Sequence, residues 1–389
     1  MSVKMLVVDD EPDLEQLVLQ KFRKKIRTKE YEFVFAQNGI QALKILKKDG
    51  RIELVLTDIN MPEMDGLTLL REMGSLDNRL LRSVIVSAYG DMQNIRTAMN
   101  LGAYDFVTKP IDLADLEITV EKSLKDLALL KEALQDKERL LSIQRELDIA
   151  TSIQTGILPK IFPAFPDRKE FDIYAHMITA KEVGGDLYDF FMIDKYRVAV
   201  IIGDVSGKGV AAALLMAVSK TLLQASALKG IPADALLSEV NNVLVKNSPS
   251  NMFVTVFYGI LDTRSGAFEY CNGGHNPPYL LCKDGNVGQV EKIGGLVLGA
   301  MKNAEYQSSV TVLQPGETIF FYTDGVTEAR STKDEEFEEK RLEACLSRNQ
   351  KSGLERIVEK VFSDVETFSA GMPQADDITC LAVRFLGKS

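Results

Sequence analysis

Along the first 122 residues, short apolar runs alternate with amphipathic stretches five times over. Val3 to Val8, Phe33 to Ala36, Leu54 to Thr57, Ser83 to Ser87 and Asp105 to Thr108 are too short and too uniformly apolar for surface helices. They read as buried strands, with helices in the segments between them. That alternation predicts a doubly wound α/β domain on a parallel sheet. From Asp112 to Ile153 the pattern changes: there is no proline or glycine, and Leu113, Leu116, Val120, Leu127, Leu130, Leu134 and Leu141 approximate a heptad seam broken by Ser123 and Lys137. One long helix is expected there, pairing with its twin in a homodimeric coiled coil. It gives way after residue 155 to coil rich in proline (Pro159, Pro163, Pro166). Beyond it the period returns to that of strands, now as hairpins. Asp186 to Ile193 and Arg197 to Gly203 flank a turn at Asp194-Lys195-Tyr196, and Phe253 to Ile260 and Ala267 to Cys271 flank Thr263 to Gly266. Apolar helices follow at Val210 to Ser219 and Ala233 to Val245, and another at Gly353 to Phe368. The expectation for 156–389 is an α/β sandwich on antiparallel sheets, after a 1–122 domain and a 112–155 connector.

Composition narrows this little. With 389 residues, 46% apolar and 26% charged, the chain has the make-up of a folded globular protein. A net charge of −10 argues against nucleic acid as the main partner. The apolar start is interrupted by Asp9 and Asp10, unlike a signal peptide, and no stretch reads as a membrane span of about 20 apolar residues. A cytoplasmic protein is expected. The four cysteines have neither CxxC spacing nor an arginine six residues on, which excludes zinc ribbons and Cys-x5-Arg phosphatases and leaves them as buried thiols. Two histidines, His176 and His275, give a Ser-His-Asp mechanism little material.

The chemistry is carried by aspartates at strand ends. In a doubly wound domain the working residues lie beyond the carboxyl ends of the strands, which here means Asp9, Asp10, Asp58, Ser87 and Lys109. Asp10 and Asp58, with or without Asp9, suit one Mg²⁺. Asp58 is placed to attack a phosphoryl donor, with Lys109 and the Ser87 hydroxyl stabilising the acyl phosphate. The Lys109-Pro110 bond is expected to be cis. Val7-Val8-Asp9-Asp10-Glu11-Pro12, Asp58-Ile-Asn60-Met-Pro62-Glu-Met-Asp65-Gly66, Ser87-Ala88 and Lys109-Pro110 resemble the receiver domain of two-component response regulators. The resemblance implies Asp58 as phosphoacceptor, Asp9 and Asp10 as acid pair, the Asn60 carbonyl on Mg²⁺, Phe106 as aromatic switch, and a sensor histidine kinase as phosphodonor.

In the third segment, Gly203-Asp204-Val205-Ser-Gly-Lys-Gly209 ends an apolar strand on a carboxylate. If its hairpin turns at Lys195, Asp186 and Asp204 face each other with Cβ atoms roughly 5 Å apart. Asp324 follows a second apolar strand, and Asp376-Asp377 precedes a third. Four acidic sites without His or Cys partners suit Mg²⁺ or Mn²⁺. Two such ions bridged by Asp204, with Asp186, Asp324, Asp376 or Asp377 and the Val205 carbonyl around them, would activate a water for attack on a phosphate monoester. Gly203 to Lys208 lacks the spacing of a phosphate-binding loop, and Gly184-Gly185-Asp186 lacks the Glu-Phe of diguanylate cyclases.

Six ordered motifs then resemble the SpoIIE/RsbU-type branch of the PPM (type 2C) serine/threonine phosphatases. They are Ala150 to Gln154 with Leu158-Pro159, Gly184 to Asp189, Gly203 to Gly209, Gly274-His-Asn-Pro-Pro278, Tyr322-Thr-Asp-Gly-Val-Thr-Glu328 and Asp376-Asp-Ile-Thr379. The resemblance implies that Asp204 bridges both metals, that Asp186 serves one, and that Asp324 and Asp376 serve the other, with Asp377 beside them. It also implies a substrate, a phosphoserine or phosphothreonine on an anti-sigma-factor antagonist of the STAS fold. Ala211 departs from a frequent proline. His275 is expected to order its loop. A non-catalytic adaptor, the rival reading, has no need of Asp186, Asp204, Asp324 and Asp376 together.

Overall fold

A computed structural model describes residues 2–76, 78, 80–88, 91–247 and 252–387. The chain divides into two units, Met1–Ser142 and Ile143–Ser389. In the first, strands β1 (Val3–Val8), β2 (Tyr31–Ala36), β3 (Ile52–Asp58), β4 (Arg82–Ala88) and β5 (Asp105–Lys109) form one parallel sheet in the order β2-β1-β3-β4-β5. Each strand lies within two residues of its expected place. Both faces are covered by helices, which is why the strands are apolar without alternation. Met5, Val7, Leu54 and Val86 face one core, Leu6, Val8 and Val55 the other. The Lys109-Pro110 bond is cis.

The long helix runs from Leu113 to Ile157. Its first half corrects the expectation of a free seam. Leu116, Val120 and Leu127 are buried, the first two in the core beneath β1 and β3, and Ser123, which breaks the heptad, is buried with its Oγ donating to the Thr119 carbonyl at 2.7 Å. Burial against the parallel sheet uses that stripe, and only further along do Leu134, Leu140, Leu141 and Ile143 stand exposed.

Among the described residues the second unit has ten strands: β6 (Phe171–Ile178), β7 (Leu187–Met192), β8 (Arg197–Val205), β9 (Val254–Asp262), β10 (Ala267–Gly273), β11 (Tyr279–Leu281), β12 (Val287–Gln289), β13 (Ser308–Val312), β14 (Thr318–Tyr322) and β15 (Ile378–Phe385). They form two antiparallel sheets, β13-β10-β9-β8-β7 and β12-β11-β14-β15-β6. Phe190, Val200, Ile202 and Phe257 of one sheet meet Phe171, Ile319, Phe321 and Leu381 of the other in the central core. Helices Val210–Ala227 and Ala233–Asn247 cover the outer face of the first sheet, and Glu338–Asn349 and Leu354–Ser369 that of the second. The result is a four-layer α/β/β/α sandwich.

Helix Val210–Ala227 runs eight residues beyond its expected end and also corrects the reading of hydropathy. It is long and apolar enough, by length and composition, to cross a membrane, with 44% of its residues buried in this fold. Its inner face is core: Ala212, Leu215, Met216 and Leu223 pack on the first sheet. Lys220, 5% exposed, reaches Asp189 of β7, 3% exposed, at 2.7 Å. This buried ion pair clamps the helix to a strand three residues from Asp186. Removing one partner strands the other charge, so Lys220→Met should destabilise the unit by about 3–5 kcal/mol, and Lys220→Met with Asp189→Leu by much less. Urea unfolding of the two variants checks this.

Candidate functional sites

In the first unit, three strand ends bring Asp9, Asp58 and Lys109 together. One carboxylate oxygen from each of Asp9, Asp10 and Asp58 lies within 4.8 Å of the others. The Lys109 ammonium donates to Asp58 at 2.6 Å and to Asp9 at 3.2 Å. Burial works against its charge, yet the two carboxylates hold it above the ordinary lysine value. Burial also raises Asp9, outweighing the amide of Glu11 and the charge of Lys109. The other Asp58 oxygen accepts the Ile59 N–H at 2.7 Å, so its orientation is fixed by its own backbone. Gly66 lets the next loop close over β3: a Cβ there would stand 2.1 Å from the Asp58 carbonyl. The Ser87 hydroxyl at the end of β4 is fully buried and has no hydrogen-bond partner among the described residues, an orphan of the kind an incoming oxygen would satisfy. Asn60 is exposed beside the acid trio, and Phe106 is 37% exposed on β5. Asp9, Asp10, Asp58, Asn60, Ser87 and Lys109 thus gather at the carboxyl ends of the strands, while Phe106 lies near the start of β5.

In the second unit the register does the work. Leu187 pairs with Gly203 and Phe191 with Ala199, a hairpin centred on Lys195, so the next step sets Asp186 opposite Asp204. In the other sheet Tyr322 pairs with Cys380, which puts Asp324, opening the short helix Asp324–Thr327, next to Asp376 and Asp377. The two hairpins deliver their acids to the same end of the sandwich. Thr323 and Thr379 cross from the second sheet to the first, both donating to one oxygen of Asp186, at 2.7 and 2.5 Å. Sequence reasoning quoted both threonines inside motifs but gave them no role; their signal was their place one residue from paired strand ends.

Electrostatics follow from the convergence. Burial, then the charges of Asp324, Asp376 and Asp377, push the Asp204 carboxyl up to about 7. Burial, then Asp204 and Asp377, raises Asp186, and burial, then Asp376, raises Asp324. Among the described residues, Lys208 answers with positive charge, at 2.9 Å from Asp376. These four carboxylates are more widely set than the trio of the first unit. Asp377 is used differently: its oxygens accept the N–H groups of Ala180 and Gly185 at 2.7 and 2.6 Å. It therefore holds the Gly184-Gly185-Asp186 loop, and Asp376 is the residue that faces Asp324.

The donor set fits a hard divalent cation, being all oxygen and short of positive charge. A cradle supports this: a Cβ on Gly185 would meet the Val205 carbonyl at 2.8 Å and Asp204 Oδ1 at 3.2 Å, so glycine keeps two ligand-type oxygens side by side. Gln154, buried near the end of the long helix, grips the same loop with both ends of its amide, donating to the Gly184 carbonyl at 2.6 Å and accepting its N–H at 3.0 Å. His275 orders its loop, as expected. It is fully buried, and burial lowers it to about 4, so it is neutral. Tyr322 offers only a carbonyl to Nε2, at 3.2 Å, so Nε2 carries the proton and Nδ1 accepts from Thr255 at 2.9 Å. The ring thereby ties the strand beside Asp204 to the strand that leads to Asp324. Cys271, Cys345 and Cys380 are buried, Cys282 partly so.

Comparison with known proteins agrees with this geometry. The response regulator receiver domain family matches residues 5–121, and the Stage II sporulation protein E (SpoIIE) family matches residues 194–386. Sporulation initiation phosphotransferase F of Bacillus subtilis is 36% identical over 124 residues, 32% of this chain and 95% of that protein. Phosphoserine phosphatase RsbU of Bacillus subtilis is 29% identical over 256 residues, 65% of this chain and 75% of its own. Protein IcfG of Synechocystis sp. is 31% identical over 61% of this chain, which spans only 41% of that protein's length. The solved SiaA-PP2C domain of Pseudomonas aeruginosa covers 64% of this chain and 98% of its own with a TM-score of 0.56; at 22% identity this is a likeness of fold. The chain belongs to the response regulator family. Its C-terminal unit resembles the SpoIIE/RsbU branch of the PPM serine/threonine phosphatases.

Two predictions follow from the site. A carboxyl whose folded value is raised lends stability below its unfolded value, lost as pH rises through the folded one. Without divalent ions, thermal stability should therefore fall between about pH 4 and pH 7 from the Asp204 contribution. His275, lowered to about 4, has the opposite sign: its contribution is whole above its unfolded value and is lost as pH falls. It acts alike in parent and variant, so Asp204→Asn should give the flatter profile by calorimetry in chelator. Thr379→Val, which removes one of the two hydroxyls on Asp186, should raise the Mn²⁺ concentration for half-maximal thermal stabilisation by about tenfold or more.

Proposed function

We propose that this chain is a phosphatase under receiver control, with functional limits at 1–122, 112–155 and 156–389. A sensor histidine kinase phosphorylates Asp58, with Mg²⁺ held by Asp9, Asp10, Asp58 and the Asn60 carbonyl, while Ser87, Phe106 and Lys109 read the new group. The C-terminal unit then hydrolyses a phosphoserine or phosphothreonine on an anti-sigma-factor antagonist of the STAS type. The protein acts in the cytoplasm as a homodimer joined through the exposed leucines of the long helix.

The observation that carries the reading is the delivery of Asp186, Asp204, Asp324 and Asp376 from four separate segments to one end of the sandwich, with too little positive charge beside them. Asp186, Asp204, Asp324, Asp376 and the Val205 carbonyl would hold two or more Mn²⁺ or Mg²⁺ ions, which supply an activated water and charge neutralisation for a phosphate monoester. The chain's own residues orient these ligands: Thr323 and Thr379 fix Asp186, Asp377 fixes its loop, and Gly185 keeps the space open. In the net reaction a P–O bond forms to water oxygen, the P–O bond to the serine side chain breaks, and the serine oxygen leaves with a proton. RsbU, a phosphoserine phosphatase by name, supports the substrate class.

Control reaches the site through the helix end, where Gln154 holds Gly184 two residues from Asp186. Phosphoserine release from a phosphorylated STAS-type protein in Mn²⁺ should change severalfold with beryllofluoride, a mimic of phosphorylated Asp58. Asp58→Asn should respond as if the mimic were absent, and Gln154→Leu should flatten the response of an otherwise phosphorylatable protein. Equal rates with and without the mimic in the parent would remove receiver control, and no Mn²⁺-dependent release at all would remove the enzyme.

A further inference from the structure

Beside the carboxylate centre lies a cleft of about 600 Å³ that the hydrolysis itself does not use. Its floor is apolar, built by Phe362 and Val365 of helix Leu354–Ser369 and by Ile378 at the start of β15. Ile178, at the end of β6, and Met372, in the loop after that helix, stand at its mouth, 43% and 45% exposed. Lys208, Gly325 and Asp376 line the cleft as well as bordering the carboxylates, so the two form one continuous depression. Its rim is acidic. Lys208 is committed to Asp376, and Arg330 to Asp334 and Glu336. Among the described residues, Glu328 and Glu366 on the same rim form no salt bridge.

We propose that this cleft is the docking groove for the polypeptide flanking the phosphorylated residue. It selects an aliphatic or aromatic side chain with a lysine or arginine beside it. The inference rests on the phosphatase reading above and names what that phosphatase recognises. The carboxylate centre suits the phosphoryl group, which every phosphoserine carries alike, so discrimination between substrates falls to the surface beside it. A residue two to four positions away on an extended chain lies roughly 7–13 Å from the phosphorylated one, within reach of a depression that begins at Asp376. The volume is that of a groove for a few side chains rather than for a whole domain. Apolar floor and acidic rim together favour a hydrophobic anchor with a basic neighbour and disfavour an acidic one.

Short phosphoserine peptides with leucine, lysine or aspartate walked through the flanking positions test this in Mn²⁺, beside p-nitrophenyl phosphate, which has no flanking chain. Leucine at one position, on one side only, should raise kcat/KM about tenfold over serine, the effect of burying one aliphatic side chain. Lysine next to it should add to the gain and aspartate should cancel it. Met372→Asp and Ile178→Asp, both at exposed positions, should abolish the leucine advantage and leave p-nitrophenyl phosphate turnover within about twofold. Equal rates for all peptides, or an undiminished leucine advantage in both variants, would overturn the inference. Variants that also lose p-nitrophenyl phosphate turnover would overturn it too, by making the cleft a support of the centre rather than a groove. A parent inactive on p-nitrophenyl phosphate would instead fail the phosphatase reading itself, and this inference with it.

Discussion

Like charges brought together out of water are the constraint to which the C-terminal unit is built. Asp186, Asp204, Asp324 and Asp376 repel one another, and burial deepens the penalty. Such a set persists only where the backbone over-determines it. Here two antiparallel ladders do so, one bringing Asp186 opposite Asp204 and the other bringing Asp324 beside Asp376. Helices on both outer faces fix the sheets, and the shared core between them fixes one hairpin against the other. Thr323 and Thr379, with the Asp377 carboxylate, span the two hairpins at the acids themselves.

The N-terminal unit solves the same problem more cheaply. Two of its three acids, Asp9 and Asp58, meet a lysine delivered by β5, so part of the charge is met within the protein. That difference suits the two tasks. An aspartate that must accept a phosphoryl group needs a poised cation close by, whereas a centre that must hold cations needs the deficit left open.

Much of this was legible in the sequence because it rests on short-range rules. Period-two alternation about Lys195 gave the hairpin register, and hence the Asp186–Asp204 pairing, without any long-range information. Apolar runs closing on Asp58, Lys109 and Asp204 marked strand ends. What the sequence concealed depends on packing. The leucines of the long helix carry the same spacing whether they face a second helix or a parallel sheet, and Leu116 and Val120 face the sheet. Strand β6 follows proline-rich coil and escaped notice, although Phe171, Ile173 and Ala175 alternate inward. Helix Glu338–Asn349 is so polar that only Leu342, Cys345 and Leu346 betray its buried face. Asp377 could not be told from Asp376 by composition, since only the fold decides which of two adjacent carboxylates meets backbone amides and which meets other acids.

Gly185 carries a consequence for how such proteins diverge. Its backbone is not in the left-handed region, so alanine is conformationally acceptable there. The added methyl would stand 2.8 Å from the Val205 carbonyl, so that this strand end must shift, and 3.2 Å from Asp204 Oδ1. A single substitution at this position thus separates catalysis from architecture: a descendant would keep its receiver, its helix and its substrate-facing surface while losing its chemistry. Under the function proposed above, such a protein would still bind the phosphorylated partner without dephosphorylating it, an antagonist of its own parent one carbon atom away.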